Sequence, residues 1–504
     1  MTFYNYIHLK GRLSSIIILT SLLFLSIDTV LGQNALQQTI YNIALDEDFR
    51  HGSLSICIID LQNDSMVASY QPNTSLVPAS TVKIFTTYAA LAILGQDFRF
   101  KTELQYGGEF VDSTLNGSVF IKGWGDPTLG SARFPRVDNI KALNRKFIKA
   151  LQKECIYKIN GYIVSDGSYY EPSPVPSTWQ YDDIGNYYGA GSFGLNFHDN
   201  EYTLYFKQNP EMWSRPVIER TFPTMPEQKF INNVSSASPR SGDNTYIFGD
   251  PYSNVRLVTG TIPSGKGHFA VRGSIPNPPL TCANRLVKDF STIDSSSVTK
   301  GAIDIEEYIK TIGAPLFRHT FYTHYSPRLS DIILQTNHRS VNLYAETLLR
   351  ELGKTLHAQG TVDAGIKVLY QFWKDAGLNT HGLFFEDGSG LSARNGVSAW
   401  HFTQALSIAR KDSLNFQTYY NSLPVAGKEG TVRRLLNGYK GKAEVRVKSG
   451  TMRRVKSYCG YAKAEDGKEY AFAFIANNYS CSSGKVRDQV ENILRALIIS
   501  PKKD

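Results

Sequence analysis

Apolar and polar positions alternate along this chain with two distinct periods. Residues 35–49 place Leu36, Ile40, Ile43 and Ala44 at helical spacing. Ser53–Asp60 reads as a strand, and the Asn63-Asp64 turn leads into a second strand, Met66–Tyr70. A helix is predicted from Ser80 to about Leu94, just after Pro78 and Ala79. From about Glu103 to Gly273 the texture changes to short aromatic segments punctuated by Gly, Pro, Asn and Asp. Tyr162–Val164, Tyr202–Phe206, Val255–Val258 and Phe269–Val271 read there as strands. Helical periodicity returns at 280–290, 329–335, 342–352, 360–376 and 399–411. At the end of the chain, Glu444–Lys448 alternates strictly, with Val445 and Val447 on one side. Val455–Lys463 and Glu469–Asn477 form a hairpin around Asp466-Gly467. A final helix carries Val486, Val490, Ile493, Leu494, Leu497 and Ile498 on one face, the pattern of a helix packed on a sheet rather than one lying on a membrane.

The ends and the charge narrow the setting. Lys10 and Arg12 precede a short apolar run, Ser14–Ile27, and Val30-Leu31-Gly32 supplies modest residues at a cleavage position. This is the layout of an export signal, residues 1–32, with Gln33 as the mature start. The run is shorter than the ~20 residues that span a bilayer, and Asp28 interrupts it. No Cys follows that would accept a lipid. An exported, periplasmic protein is expected. The 504 residues carry a net charge of +9. In an exported chain without a stripe of interleaved basic and aromatic residues, that charge argues against nucleic acid. It reads first as a generally solvated basic surface, with an anionic envelope polymer or membrane surface as the candidate peripheral partner. The five cysteines (57, 155, 282, 459 and 481) form no C-x-x-C pair, so most read as small buried residues; Cys459 and Cys481 are the two able to approach each other.

The candidate chemistry starts at Ser80-Thr81-Val82-Lys83. A hydroxyl and an amine three residues apart share one helix face, so a nucleophile can sit beside a base. Two further pieces follow in order: Ser340-Val341-Asn342 at a helix start, and Lys448-Ser449-Gly450-Thr451 at the end of the alternating strand. Each is ordinary alone, as a helix cap or a strand end. Their ordered co-occurrence is not. Together they resemble the active site of penicillin-binding proteins and serine β-lactamases.

The 256 residues between Lys83 and Ser340 refine the resemblance. A large insertion at that point is similar to the class C low-molecular-mass penicillin-binding proteins, the peptidase S13 or D-Ala-D-Ala carboxypeptidase/endopeptidase family. So are Gly123-Trp124-Gly125-Asp126-Pro127, Tyr187-Tyr188-Gly189-Ala190, Asn342-Leu343-Tyr344-Ala345-Glu346 and Asp387-Gly388-Ser389-Gly390-Leu391-Ser392. The chain departs from the usual motifs in carrying Lys-Ser-Gly for Lys-Thr-Gly and Val341 at the centre of the middle motif; the hydroxyl at Ser449 is kept.

The resemblance implies an α/β (α+β) fold, a serine β-lactamase/transpeptidase-like domain with an antiparallel sheet flanked by helices. That domain is expected from 33–105 and 277–504. A large mainly β insertion over 106–276 has room for two nested subdomains. The implied activity is serine D-Ala-D-Ala carboxypeptidase or D,D-endopeptidase hydrolysis of peptidoglycan stem peptides, with acylation by penicillins and other β-lactam antibiotics. No metal or organic cofactor is implied. Ser80 is the expected nucleophile and Lys83 its base, kept unprotonated by burial and by the second cation, Lys448. Ser340 relays a proton toward the leaving amine, and Asn342 holds the substrate backbone. Lys448 and Ser449 bind the terminal carboxylate, and Gly450 lets the substrate strand lie close. The backbone N–H groups of Ser80 and Thr451 form the oxyanion hole. Asp182 and Asp183, after Trp179, stay open between two readings: one of them meeting the free amine of a diamino-acid side chain, or both being surface aspartates near a turn. A β-lactamase, a D-amino-acid esterase or amidase, and a non-catalytic wall-binding protein stay open on the same scaffold.

Overall fold

A five-stranded antiparallel sheet forms the centre of the computed structural model, which describes residues 35–135, 138–293 and 298–499. The strand order is Glu444–Met452, Val455–Lys463, Glu469–Asn477, Ser53–Asp60, Met66–Tyr70. Ser53–Asp60 lies beside the C-terminal strand Glu469–Asn477, so the two ends of the chain close one sheet. Its six inner residues are all buried, because both faces of the sheet are covered. On one face, Ile56, Ile58, Val445, Val447, Phe472 and Phe474 pack against helix 35–44 and the terminal helix Ser483–Ile498. The six apolar positions predicted for the terminal helix are all in that core, so it is a packed element.

The other face carries Cys57, Ile59, Cys459, Tyr461, Ala473 and Ile475 into a helical layer. Its innermost member is Lys83–Leu94, which is buried from Lys83 through Leu91. A helix surrounded on all sides has no polar face, which is why its sequence is apolar all round rather than amphipathic. Phe85 fixes it, with ring centres of Trp373 and Phe385 at 5.3 and 5.2 Å in edge-on contact. Leu329–Arg339, Asn342–His357, Val362–Asp375 and Ala399–Lys411 complete the layer. The fold is therefore mixed α and β, an antiparallel sheet flanked by helices. Cys459 and Cys481 belong to opposite faces and both thiols are free; Cys57, Cys282 and Cys459 are buried.

A second, six-stranded sheet lies in the middle of the chain. Its main path runs Ala302–Asp304, Ile163–Asp166, Thr114–Gly123, Lys101–Val111, His319–Tyr325. Helices Ile140–Lys153 and Pro278–Phe290 cover it. The sequence reading ended this region at 276, but Pro278–Phe290 packs on this sheet and 302–304 and 319–325 are strands of it. Those strands are short and lack a clean alternation, so the sequence does not reveal their partners. Two three-stranded sheets, 201–207 with 217–222 and 268–274, and 229–237 with 244–248 and 255–263, share a separate small core around Tyr202, Leu204, Val234 and Val258.

The helix Asn342–His357 fastens these inserted segments to the central layer. Tyr344 donates to Asp199 at 2.5 Å, Ser192 and Thr347 hydroxyls meet at 2.8 Å, and Tyr170 donates to Glu351 at 2.8 Å. The buried Arg350 guanidinium donates to the carbonyls of Ser192 and Ser173 at 2.5 and 2.7 Å. Among the described residues, no helix is long and apolar enough to cross a membrane. The expected export signal lies outside the described residues.

Leu494→Ala tests the packed terminal helix. The side chain is fully buried, so truncation is expected to lower unfolding stability by about 2–5 kcal/mol in chemical denaturation. A loss under about 0.5 kcal/mol, the size of a surface effect, would contradict the packing.

Candidate active site

The turn that carries Ser80 is built before the helix begins. Ala79–Val82 is a single 3-10 turn, and Lys83–Leu94 continues from it as α-helix. Ala79 holds a left-handed φ of +50°, which costs a residue with a Cβ about 1 kcal/mol or more. The neighbours hold that conformation. Thr81 Oγ1 donates to the Pro78 carbonyl at 2.7 Å, and Ser457 Oγ donates to the same oxygen. Gly390, at φ +79°, has no Cβ to collide with the Ala79 carbonyl. Ser80 itself is partly exposed at this turn.

Lys83 is fully buried one turn below. Its ammonium reaches Ser80 Oγ at 3.0 Å, Asn342 Oδ1 at 2.6 Å and the Ser389 carbonyl at 2.7 Å. Burial pushes its pKa down to about 7, against the opposing pull of the Asp387 and Glu346 carboxylates. An amine in that range exchanges a proton near neutrality, and its nearest hydroxyl is that of Ser80.

The middle motif starts where the helix Leu329–Arg339 ends. Ser340 takes a left-handed φ of +57°, and Asn342 opens the next helix. Lys448 Nζ donates to Ser340 Oγ at 2.9 Å and to the Ser449 carbonyl at 2.7 Å. Lys448 is also fully buried, and its pKa is pushed well below the usual lysine range, first by burial and then by Lys83. The sequence reading names burial and Lys448 together as what keeps Lys83 unprotonated; burial is the dominant cause at both amines, and the charge repulsion is felt at Lys448, from Lys83. Asn342 was expected to offer its amide to substrate. Here Oδ1 accepts from Lys83 and Nδ2 donates to the Tyr188 carbonyl at 2.8 Å.

The third motif lies on the outermost strand of the central sheet. Ser449 Oγ and Thr431 Oγ1 meet at 2.8 Å. A Cβ on Gly450 would run into Ser457 Oγ and come within 2.6 Å of the Pro78 carbonyl and 3.0 Å of Ser80 N. The glycine is therefore required by the Ser80 turn itself, a reason the sequence does not show. The free edge of this strand is partly occupied: Ala426 N donates to Val445 and Val447 N to Pro424. Among the described residues no strand pairs with that edge from Lys448 onward, and Thr451 is exposed there.

Thus Ser80, Lys83 and Asn342 are joined directly by hydrogen bonds, as are Ser340 and Lys448. Gly450 touches the Ser80 turn, while Ser449 and Thr451 line the edge. Sequence reasoning missed four supporting groups. Ser389 supplies a carbonyl to Lys83. Asp387 is buried and accepts from Trp179, Asn395 and the backbone N–H groups of Gly390 and Ser392, so it shapes the loop that presents Ser389. Glu346, four residues beyond Asn342 on the same helix, is pushed up to about 8, mainly by burial and next by Asp387. Thr431 is the fourth. The Asp-Gly-Ser-Gly-Leu-Ser run is legible as a pattern, but nothing local ties it to Lys83, 306 residues from Ser389.

A cleft of about 320 Å³ opens beside Ser340 and Asn342, lined also by Tyr187, Tyr188 and Thr431. The two cavities of about 290 and 640 Å³ near Pro223–Gln228 and Tyr169–Pro172 contain none of the motif residues.

Comparison with known proteins gives a consistent picture. The sequence model of the D-Ala-D-Ala carboxypeptidase 3 (S13) family matches residues 36–497. A D-alanyl-D-alanine carboxypeptidase of Actinomadura sp. (strain R39) is 26% identical over 458 residues, 86% of this chain and 80% of that protein. The D-alanyl-D-alanine carboxypeptidase DacB of Haemophilus influenzae is 22% identical over 428 residues, 84% of each. The crystal structure of penicillin binding protein 4 (dacB) from Haemophilus influenzae shares the fold, with a TM-score of 0.74 at 21% identity over 92% of this chain and 98% of that one.

Gly450→Ala is expected to lose about 1–3 kcal/mol of stability, because its Cβ must displace Ser457 or the Pro78 turn. Denaturant unfolding measures it; a neutral effect would show that the turn has room to yield.

Proposed function

Because the chain belongs to the D-Ala-D-Ala carboxypeptidase 3 (S13) family, we propose that it hydrolyses the D-Ala-D-Ala bond, or the related D-Ala cross-link, of peptidoglycan stem peptides through an acyl-enzyme at Ser80. The observation that carries this reading is the buried Lys83 amine, 3.0 Å from Ser80 Oγ with its pKa near 7. Lys83 takes the Ser80 proton as the oxygen attacks the penultimate D-Ala carbonyl. The backbone N–H groups of Ser80 and Thr451 stabilise the oxyanion. The tetrahedral adduct collapses, the C–N bond breaks, and Ser340, linked to Lys448, returns a proton to the leaving amine. That amine is terminal D-Ala in the carboxypeptidase reaction and the cross-linked side chain in the endopeptidase reaction. Water then attacks the ester, the acid product leaves, and Ser80 regains its proton. Lys448 and Ser449 hold the terminal carboxylate of the substrate, Asn342 keeps Oδ1 on Lys83 and exchanges its Nδ2 bond to the Tyr188 carbonyl for one to the substrate backbone, and Gly450 admits the substrate strand to the edge.

The inserted region, with its mainly β segments, shapes the approach through Tyr187 and Tyr188 in the cleft. Of the two aspartates left open for a diamino-acid amine, Asp183 is partly withdrawn from water, and its carboxyl is pushed up to about 6 by burial and by Asp182. Penicillins acylate Ser80 on this reading, and the protein acts outside the cytoplasm, in the periplasm, where its net positive charge suits peripheral contact with the anionic envelope.

Wild-type protein incubated with monomeric and cross-linked muropeptides is expected to release D-Ala or split cross-links, with products read by mass. Ser80→Ala should reduce the rate by roughly 10³-fold or more. Equal rates in the two proteins would exclude Ser80, and rapid turnover of penicillin would point instead to a β-lactamase. The pH dependence follows from Lys83. Its neutral form accepts the proton and accumulates as pH rises through about 7. Acylation by a fluorescent penicillin should therefore accelerate from about pH 5.5 to about 8.5 with a midpoint near 7. A flat profile would remove Lys83 as the proton acceptor.

A further inference from the structure

The strand Val455–Lys463 places Lys456 directly across from Thr451. Its amine donates to Thr451 Oγ1 at 2.7 Å and lies 5.3 Å from the centre of the Tyr458 ring. The side chain is partly buried, and burial followed by the Arg487 charge pushes the amine down to about 8. Among the described residues this amine has no carboxylate within ion-pair reach. The acids on the neighbouring terminal helix, Asp488 and Glu491, pair with Arg487 instead. Arg453 and Arg454, both exposed, form the turn between the two strands. A half-desolvated cation without an anion is unusual, because removing charge from water is costly unless a partner replaces the water.

The direction of the strand says where an anion would come from. On the peptidase reading, the substrate's terminal carboxylate lies at Lys448 and Ser449, and its scissile carbonyl lies between Ser80 and Thr451. The peptide runs along the open edge, so the residues upstream of that carbonyl continue past Thr451 toward Met452 and Arg453, at about 3.3 Å per residue. Lys456 reaches forward to Thr451 at that point.

We propose that Lys456, held on Thr451 and flanked by Arg453 and Arg454, is an anion subsite that binds a free carboxylate on the acyl-donor part of the peptide, upstream of the scissile D-Ala carbonyl. This inference rests on the peptidase reading above. It makes the enzyme discriminate between stem peptides bearing a free acid at that position and those in which the acid is a carboxamide.

Two synthetic donor peptides that differ only in that acid or amide provide the test, read as the ratio of their kcat/KM values. A general loss of activity cancels in the ratio. Wild-type protein is expected to favour the acid by roughly tenfold, between the effects of exposed and buried ion pairs. Added salt should shrink the preference. Lys456→Met should bring the ratio to about one, and Lys456→Arg should retain most of it. Thermal melting shows that each variant is folded. Equal rates on the two peptides in wild-type protein, or a preference that survives in Lys456→Met, would overturn the subsite alone. Hydrolysis of neither peptide would overturn the peptidase reading and the subsite with it.

Discussion

The withdrawal of the Lys83 amine from water is the constraint on which the rest of the site depends. An exposed lysine stays charged at neutral pH and cannot take a proton from serine. At the bottom of the helical layer, the same amine loses its hydration and among the described residues keeps three oxygen partners, from Ser80, Asn342 and Ser389. Two buried carboxylates, Asp387 and Glu346, pull the other way, so the amine settles near neutrality rather than far below it. Glu346 is itself lifted to about 8 by burial, which weakens its hold on the positive charge. A cage of this kind needs an enclosing core. The aromatic contacts of Phe85 with Trp373 and Phe385 supply part of it, two residues beyond Lys83 on the same helix.

The second constraint is an open sheet edge. A sheet edge offers unpaired backbone groups to any extended chain, and proteins commonly cover such edges. Here the outer strand is closed by residues 424–426 up to Val447, and among the described residues it has no strand partner from Lys448 onward. The motif residues begin where that cover ends. Gly450 brings the edge against the Ser80 turn, so Ser80 and the open backbone are fixed relative to each other by direct contact.

The helix Asn342–His357 couples the inserted segments to this site. Asn342 at its start touches both Lys83 and Tyr188, and Tyr344, Thr347, Arg350 and Glu351 along it bond to segments between Tyr170 and Asp199. The helix therefore fixes the Lys83 cage and the wall of the cleft at once. A displacement of the inserted region would be felt at Asn342 through a rigid, buried element.

Local pattern alone determined much of this protein. The strands Ser53–Asp60, Met66–Tyr70, Val455–Lys463 and Glu469–Asn477, and the helix Ala399–Lys411, have the bounds expected from the sequence, because turn residues such as Asn63-Asp64 and Asp466-Gly467 punctuate short apolar runs and the helix repeats with its own period. The three motifs were legible because each is a short run whose residue types and order carry chemical meaning. Tertiary structure alone decided the cage around Lys83 and the place of the strands 302–304 and 319–325. Only the fold shows that Gly450 makes room for the Ser80 turn, and that Asp387 holds the loop of Ser389. Each of these is a contact between residues far apart in the chain. No local propensity records such a contact, since its energy exists only after the core has closed and excluded water.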